Sequence, residues 1–359
     1  MPYHETGPFD LAYKMGVLQQ LPPVKYPRLM LALALNGEQE AGNGAVVYDL
    51  EGNQTLGPAQ PVNRRGLPET IGLPGDKVRQ FTTQDFAEMV HFDASDDLNR
   101  RPVGLPANAS VQEVIASGQK RKMVKALQTL KDRVGIHMQH MAWGLALNNL
   151  YTFSGRQASI RVEGVRDSSL AVSLTGSDMW SAPTTADPVG DILDMVNRLS
   201  DKGGVTADTI LMSPAAYANA FKNEKFRAAL VDNLNTSVDY LYPKAGNVEP
   251  ASPGSPYAVK IEARLQGQYD IIVAREQNSG SYLIGDHNVL VLNRASWSGP
   301  TFFGPINNQY AIDRGLANAP FFPYEEVGPH GAGKDLVLRT SRIWIPSNFN
   351  ACGRITTHA

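Results

Sequence analysis

Seven residues near the C-terminus, Gly328-Pro329-His330-Gly331-Ala332-Gly333-Lys334, reproduce the Gly and Lys spacing of a loop that cradles phosphates. Such a loop also needs a Ser or Thr after the Lys to hold magnesium, and a helix whose N-terminus faces the phosphates. Here Asp335 would repel them, and Leu336-Val337-Leu338 reads as a strand. His137 and His140 stand three apart in a helical pattern, which places both on one face where they could share a metal. Asp132 lies too far along the axis to complete that set. Asp286-His287 and Glu325-Glu326 are pairs with no nucleophile, oxyanion donor or third partner that the sequence identifies. No Gly-x-Ser-x-Gly elbow and no His-Glu-x-x-His motif occurs. The sequence argues for no catalytic site, no cofactor and no metal, and a β-rich microbial hydrolase is the enzyme alternative.

The elements that would position such residues belong to a chain of unusual surface. Of its 359 residues, 42% are hydrophobic and only 19% are charged, so much of the surface must be polar-neutral or covered by partners. A formal net charge of −2 supplies no global field for gripping nucleic acid. The single cysteine, Cys352, forms no internal disulfide and reads as a small buried hydrophobe. The most apolar short run, Leu29 to Leu35, is far below the roughly 20 residues that span a bilayer. Glu5 and Asp10 stand where a secretory signal would be basic, so the chain is expected to stay in the cytoplasm that made it.

Pro22, Pro23 and Pro27 forbid a long helix in the first 40 residues, which read as an arm that packs on something else. From Glu51 to Lys77 the chain is rich in Gly and Pro and is flanked by β-prone 45–48 and 78–83, the pattern of a long two-stranded excursion. After Asn108 and Ser110, either of which can cap a helix, Met123, Leu127, Leu130, Val134, Met138, Met141 and Leu145 recur at steps of three or four. That spacing predicts one helix over about 111–150, interrupted by Gly135 and Gly144, with Lys120, Arg121, Lys122, Lys125, Lys131 and Arg133 on solvated faces or against acidic neighbours or DNA. Strands follow at 159–163 and 170–174. A helix capped by Asp187 and Pro188 ends at Gly203-Gly204, Thr209–Met212 is a buried strand, and Ser213-Pro214 opens a helix through Phe221. A further helix is expected over 228–241, a loop over 244–256, and strands at 270–273, 281–284, 289–292 and 336–345. The fold class is α+β with most of the sheet in the C-terminal half.

This order of parts resembles the Hong Kong 97 fold of tailed-bacteriophage major capsid proteins, and within it the phage lambda head protein family. Gly203-Gly204-Val205-Thr206-Ala207-Asp208-Thr209-Ile210-Leu211-Met212-Ser213-Pro214-Ala215-Ala216-Tyr217 is similar to that family's strand-to-helix entry into the axial domain. Leu336-Val337-Leu338-Arg339-Thr340-Ser341-Arg342-Ile343-Trp344-Ile345-Pro346 resembles its closing peripheral-domain strand. The resemblance implies an N-arm (1–44), an extended loop (45–92), a peripheral domain with its spine helix (93–184, rejoined by 334–359) and an axial domain (185–333). It implies a virion shell subunit that self-assembles into hexamers and pentamers around double-stranded DNA, touched without sequence preference, and that is assembled in the host bacterial cytoplasm. Its partners would be further copies of itself, a portal protein and, as an optional addition, a decoration protein, but no membrane. No helical, charged leader precedes the arm, so the scaffold is expected to be a separate protein. Interface candidates are Arg64 and Arg65 near the loop tip and Lys77 at its base, for which no cross-linking trio can be placed. Gly135 is the hinge candidate. An encapsulin-type compartment shares the fold and is the second alternative.

Overall fold

The computed structural model describes residues 11–21, 29–50, 77–93, 111–155, 159–182, 184–231, 261–278, 280–327 and 333–358. Arg64, Arg65, the stretch 244–256 and most of the phosphate-loop-like run fall outside these residues.

The arm contributes two short helices, α1 (Leu11–Gln20) and α2 (Leu29–Ala34), followed by strand β1 (Leu35–Glu40). Strands β2 (Ala45–Leu50) and β3 (Lys77–Thr82) pair antiparallel from Ala45↔Thr82 to Leu50↔Lys77, as the β-prone flanks of the Gly/Pro stretch predict. Lys77 is thus the first residue of β3. After Thr83 the chain continues straight into β4 (Gln84–Asp93). The long periodic segment is one unbroken helix, α3 (Val111–Asn148), about 57 Å at 1.5 Å per residue. All seven residues of its expected apolar face, from Met123 to Leu145, are buried. Strands β5 (Leu150–Ser154) and β6 (Ser159–Glu163) fold back as a hairpin, and β7 (Ala171–Ser173) follows.

Asp187 then accepts from the Gly190 amide and caps α4 (Pro188–Gly203), which stops at Gly204 in the left-handed region (φ 63°) where a side chain would be strained. Strand β8 (Thr209–Met212) and helix α5 (Pro214–Lys222), capped by Ser213, match expectation. The next segment does not. Helix α6 (Glu224–Ala229) ends at Ala229, and β9 (Leu230–Val231) pairs with β10 (Ala263–Leu265), so 228–241 is not one helix. A distant partner strand outweighs local helix propensity there. The remaining elements are β11 (Tyr269–Val273), the small pair β12 (Gln277–Asn278) and β13 (Ser281–Tyr282), β14 (Asn288–Leu292), α7 (Arg294–Trp297), β15 (Gly299–Phe303), α8 (Gln309–Asp313), β16 (Phe322–Val327), β17 (Gly333–Trp344) and β18 (Cys352–Thr356). Strand 281–284 is therefore shorter than expected. Lys334 lies inside β17, which removes the helix a phosphate loop requires.

Two principal sheets result. A seven-stranded sheet runs in the order β7-β18-β14-β8-β11-β10-β9. One face carries Ile210, Met212, Ile271, Val289 and Val291 against α4, α5 and α6, and the opposite face carries Leu211, Ile272, Leu290 and Leu292 into the cluster that holds the C-terminal end of α3. Covering on both faces explains why every residue of β8 is buried. The second sheet has five strands built around β17, which pairs with β4 along one edge and with β16 and then β15 along the other; β1 joins parallel to β15. Leu336 and Leu338 of β17 pack on Met123, Leu127 and Leu130 of α3 and on Leu18 of α1.

Candidate assembly surface

In the five-stranded sheet the period-2 alternation of strands separates two faces. Even positions of β4 are half-buried toward α3, while Asp85, Ala87, Met89 and His91 on its other face are exposed. Across the sheet, Tyr324, Val337 and Met89 form one cross-strand row and Glu326, Asp335 and His91 the next. Tyr310 of α8 lies 6.0 Å from the Tyr324 ring, and His91 and Asp335 form an exposed contact at 2.6 Å. Large apolar side chains left exposed here include Met89, Tyr310 and Ile312, and Val47 is exposed on the separate β2–β3 ribbon.

The arm and ribbon are fixed to this sheet by polar anchors. Lys14, fully buried on α1, meets Glu325 of β16 at 3.1 Å, and Lys334 lies 3.6 Å from the other carboxylate oxygen. Lys131 of α3 donates to the Leu18 and Leu21 carbonyls, capping the end of α1; burial, first among the causes, lowers its pKa. Arg133 pairs with Glu88 of β4 at 2.9 Å. Arg133 thus meets an acidic neighbour, one of the two settings expected for these cations, while Lys131 is instead turned onto backbone carbonyls of the arm. At α2, Glu276 accepts from the Leu29 amide at 2.6 Å, from Gln139 at 2.5 Å and from Trp143 at 3.4 Å, joining arm, spine helix and seven-stranded unit. The root of the β2–β3 ribbon is held by Tyr48, Phe81 and Phe349, with ring centroids 5.2 to 6.3 Å apart, by Tyr48 donating to Ser347 O at 2.8 Å, and by a 2.9 Å contact between Thr83 and Ser341.

His137 and His140 do not build a metal site with a third ligand. His137 sits among Phe86, Phe153 and Tyr151, with centroids at 4.6, 4.8 and 5.5 Å, and its pKa is lowered to about 4, first by burial and then by His140. Among the described residues no three His, Cys, Asp or Glu side chains gather into a metal-binding group, and no helix is long and apolar enough to cross a membrane. Gly135 is a half-buried residue within the unbroken helix α3. Gly144 is a contact glycine: a β-carbon there would lie 2.9 Å from Tyr151 Cδ2 and 3.2 Å from Leu150 O. The sequence offered no signal for the Lys14 and Glu276 anchors, because their partners are more than a hundred residues away.

The family model described as phage major capsid protein E matches residues 12–357. The chain belongs to that family. It is a structural capsid subunit of the Hong Kong 97 type, which self-assembles into a virion shell. A prophage protein of E. coli CFT073, assigned as a capsid protein, shares 11% identity over 97% of this chain and 98% of its own, with a TM-score of 0.66. The capsid protein matches that overall fold across nearly its full length. A structure from Mycobacterium phage Patience is similar at TM-score 0.46 and 12% identity, covering 97% and 84% of the two chains. The holo-SrpI encapsulin of Synechococcus elongatus PCC 7942 is similar at 0.42 and 10%, covering 96% and 95%. No curated protein sequence matches the chain.

Proposed function

We propose that this capsid protein forms hexamers and pentamers that close an icosahedral head around double-stranded DNA, and that its role is geometric rather than catalytic. The supporting observation is the anchored ribbon root: aromatic packing and hydrogen bonds fix β2 and β3 to the C-terminal segment, so residues 51–76 leave from a defined base. In this reading the loop clasps a neighbouring copy through Arg64 and Arg65, whose planar guanidinium groups suit bidentate pairing with carboxylates, with Lys77 at the base. The division into N-arm (1–44), extended loop (45–92), peripheral domain (93–184 with 334–359) and axial domain (185–333) belongs to the same proposal. Strand pairing suggests one exchange, since 171–173 and 352–356 join the seven-stranded sheet while β15 and β16 join the five-stranded one.

A separate scaffold, a portal and a decoration protein would complete a head assembled in the bacterial cytoplasm. DNA is contacted without sequence preference, and counterions neutralise it, because the chain carries 33 Lys and Arg against 35 Asp and Glu. Deleting residues 60–73 tests the clasp. The expected product is a folded, soluble subunit that forms no stable shell by electron microscopy or light scattering. Intact particles that survive dilution would refute the loop's role.

A further inference from the structure

At the end of the seven-stranded sheet, Thr357 ties three separate segments together. Its amide donates to His287 O at 2.8 Å, its hydroxyl donates to the same carbonyl at 3.0 Å, and its own carbonyl accepts from the Trp180 amide at 3.2 Å. Thr357 is buried, so these bonds are shielded from competing water. They bring together His287, the residue after Thr357 and the residue before Trp180. These last two are His358 and Met179. The two imidazole rings lie 4.9 Å apart between centroids at 74°, and His358 Nδ1 lies 3.2 Å from Met179 Sδ.

That arrangement has the dimensions of a ligand set. Two imidazoles on one ion at ordinary metal–nitrogen distances have centroids about 5 Å apart at a tetrahedral angle, and nitrogen and sulfur ligands stand about 3.5 Å apart. His287 Nδ1 is buried and has no hydrogen-bond partner, so part of this imidazole's bonding capacity is unused. His358 is exposed, which gives an ion a route in. The donor set decides which ion: a thioether beside two imidazoles, with no third His, Cys, Asp or Glu gathered there among the described residues, disfavours zinc and calcium and suits a soft monovalent cation.

We propose that His287, His358 and Met179 form a binding site for a soft monovalent metal ion of the cuprous class, clipping the end of the described chain to the loop before α4 and the turn before β14. Binding involves no redox step, since the ion enters and leaves in one oxidation state.

Silver(I), which resists air oxidation, is the probe. Isothermal titration of the purified full-length unassembled subunit, in a chloride-free buffer at neutral pH, is run on a Cys352→Ser background to exclude the buried thiol. The expected result is one high-affinity ion per chain together with a rise in melting temperature. Met179→Leu should weaken binding at least tenfold, and His358→Ala should abolish the high-affinity phase. Because His358 is exposed, its variant keeps the fold, and matching melting curves without silver check this. A His358→Ala protein that binds silver as tightly as its parent overturns the site, as does a parent with no stoichiometric binding. Tighter binding of zinc than silver by the same residues overturns the soft-ion assignment.

Discussion

The seven-stranded unit and the five-stranded unit bury their apolar residues in opposite ways. In the first, α4, α5 and α6 close one face, α3 helps close the other, and β8 has no exposed residue. In the second, β4 is only half-buried on its inner face and carries exposed residues on its outer one. Among the described residues, Phe221 is the one exposed large hydrophobe of the seven-stranded unit, whereas Tyr13, Val47, Met89, Phe153, Tyr310 and Ile312 belong to the arm, ribbon, hairpin and five-stranded sheet. One unit completes its core within the chain. The other leaves apolar side chains open on its outer face, and polar anchors hold its arm and ribbon in place.

The strongest way to break this contrast is a pair of substitutions. Phe226, fully buried between α6 and the seven-stranded sheet, should cost about 4 kcal/mol as Phe226→Ala and lower the denaturation midpoint sharply. Met89→Ser should leave that midpoint within about 0.5 kcal/mol of wild type, because the side chain is exposed, yet reduce shell yield. If Met89→Ser assembles normally, the open face of β4 is ordinary surface.

Next in size is the arm anchor. Lys14→Ala leaves Glu325 buried beside only the partly exposed Lys334, and should cost about 3 kcal/mol. The double change Lys14→Met with Glu325→Leu should recover most of that loss, since it removes both charges from the interior. Urea titration of the two variants checks this. A single variant as stable as wild type would mean that α1 is held by its apolar contacts and the Lys131 hydrogen bonds without help from Lys14.

What the sequence could reveal divides along the same line. Helices α3 and α4, strand β8 and the β2–β3 pairing follow from signals within a few residues: apolar periodicity, an Asp-Pro start, a Gly stop and β-prone flanks. Strand β1, Leu35-Asn36-Gly37-Glu38-Gln39-Glu40, has no such signal and exists because β15 lies alongside it. The truncated helix α6 has the same origin in β10. The anchors were illegible for a related reason. Lys131 reads as one of six cations on a helix, and only folding places the end of α1 under its ammonium. Likewise His287 read as half of an isolated pair with Asp286, since Met179 and His358 reach it only through Thr357.

A smaller effect sharpens the comparison through pH. His137 stands where α3, β4 and the β5–β6 hairpin meet, and its pKa is about 4 against an ordinary 6.5. Between those values the unfolded chain binds a proton that the folded chain refuses. The contribution of His137 is therefore complete above pH 6.5 and is lost as the pH falls toward 4. Wild type should lose melting temperature over that range more steeply than His137→Phe, which retains an aromatic ring without the titration. Parallel curves would show that His137 titrates as it does in water.

The smallest expected effect separates the two glycines of α3, and with them two ways in which a helix can serve a shell. At Gly144 a β-carbon would meet Tyr151 Cδ2 at 2.9 Å, Leu150 O at 3.2 Å and Tyr151 Cα at 3.3 Å, all three on the strand that follows the helix and two of them backbone atoms. The hairpin would have to move, so Gly144→Ala should destabilise by about 2 kcal/mol, the usual cost of overpacking. Gly135 is half-buried in the middle of a continuous helix, where Gly gives up about 1 kcal/mol relative to Ala. If it is retained as the hinge at which α3 changes curvature when a rounded precursor shell becomes angular, Gly135→Ala should stabilise the isolated subunit by about that amount and slow expansion of its shells. Melting of both unassembled variants, beside scattering measurements of expansion on Gly135→Ala shells, tests the pair together. A Gly135→Ala subunit that is destabilised and expands at the wild-type rate would make Gly135 a second contact glycine, leaving α3 a rigid strut along its whole length.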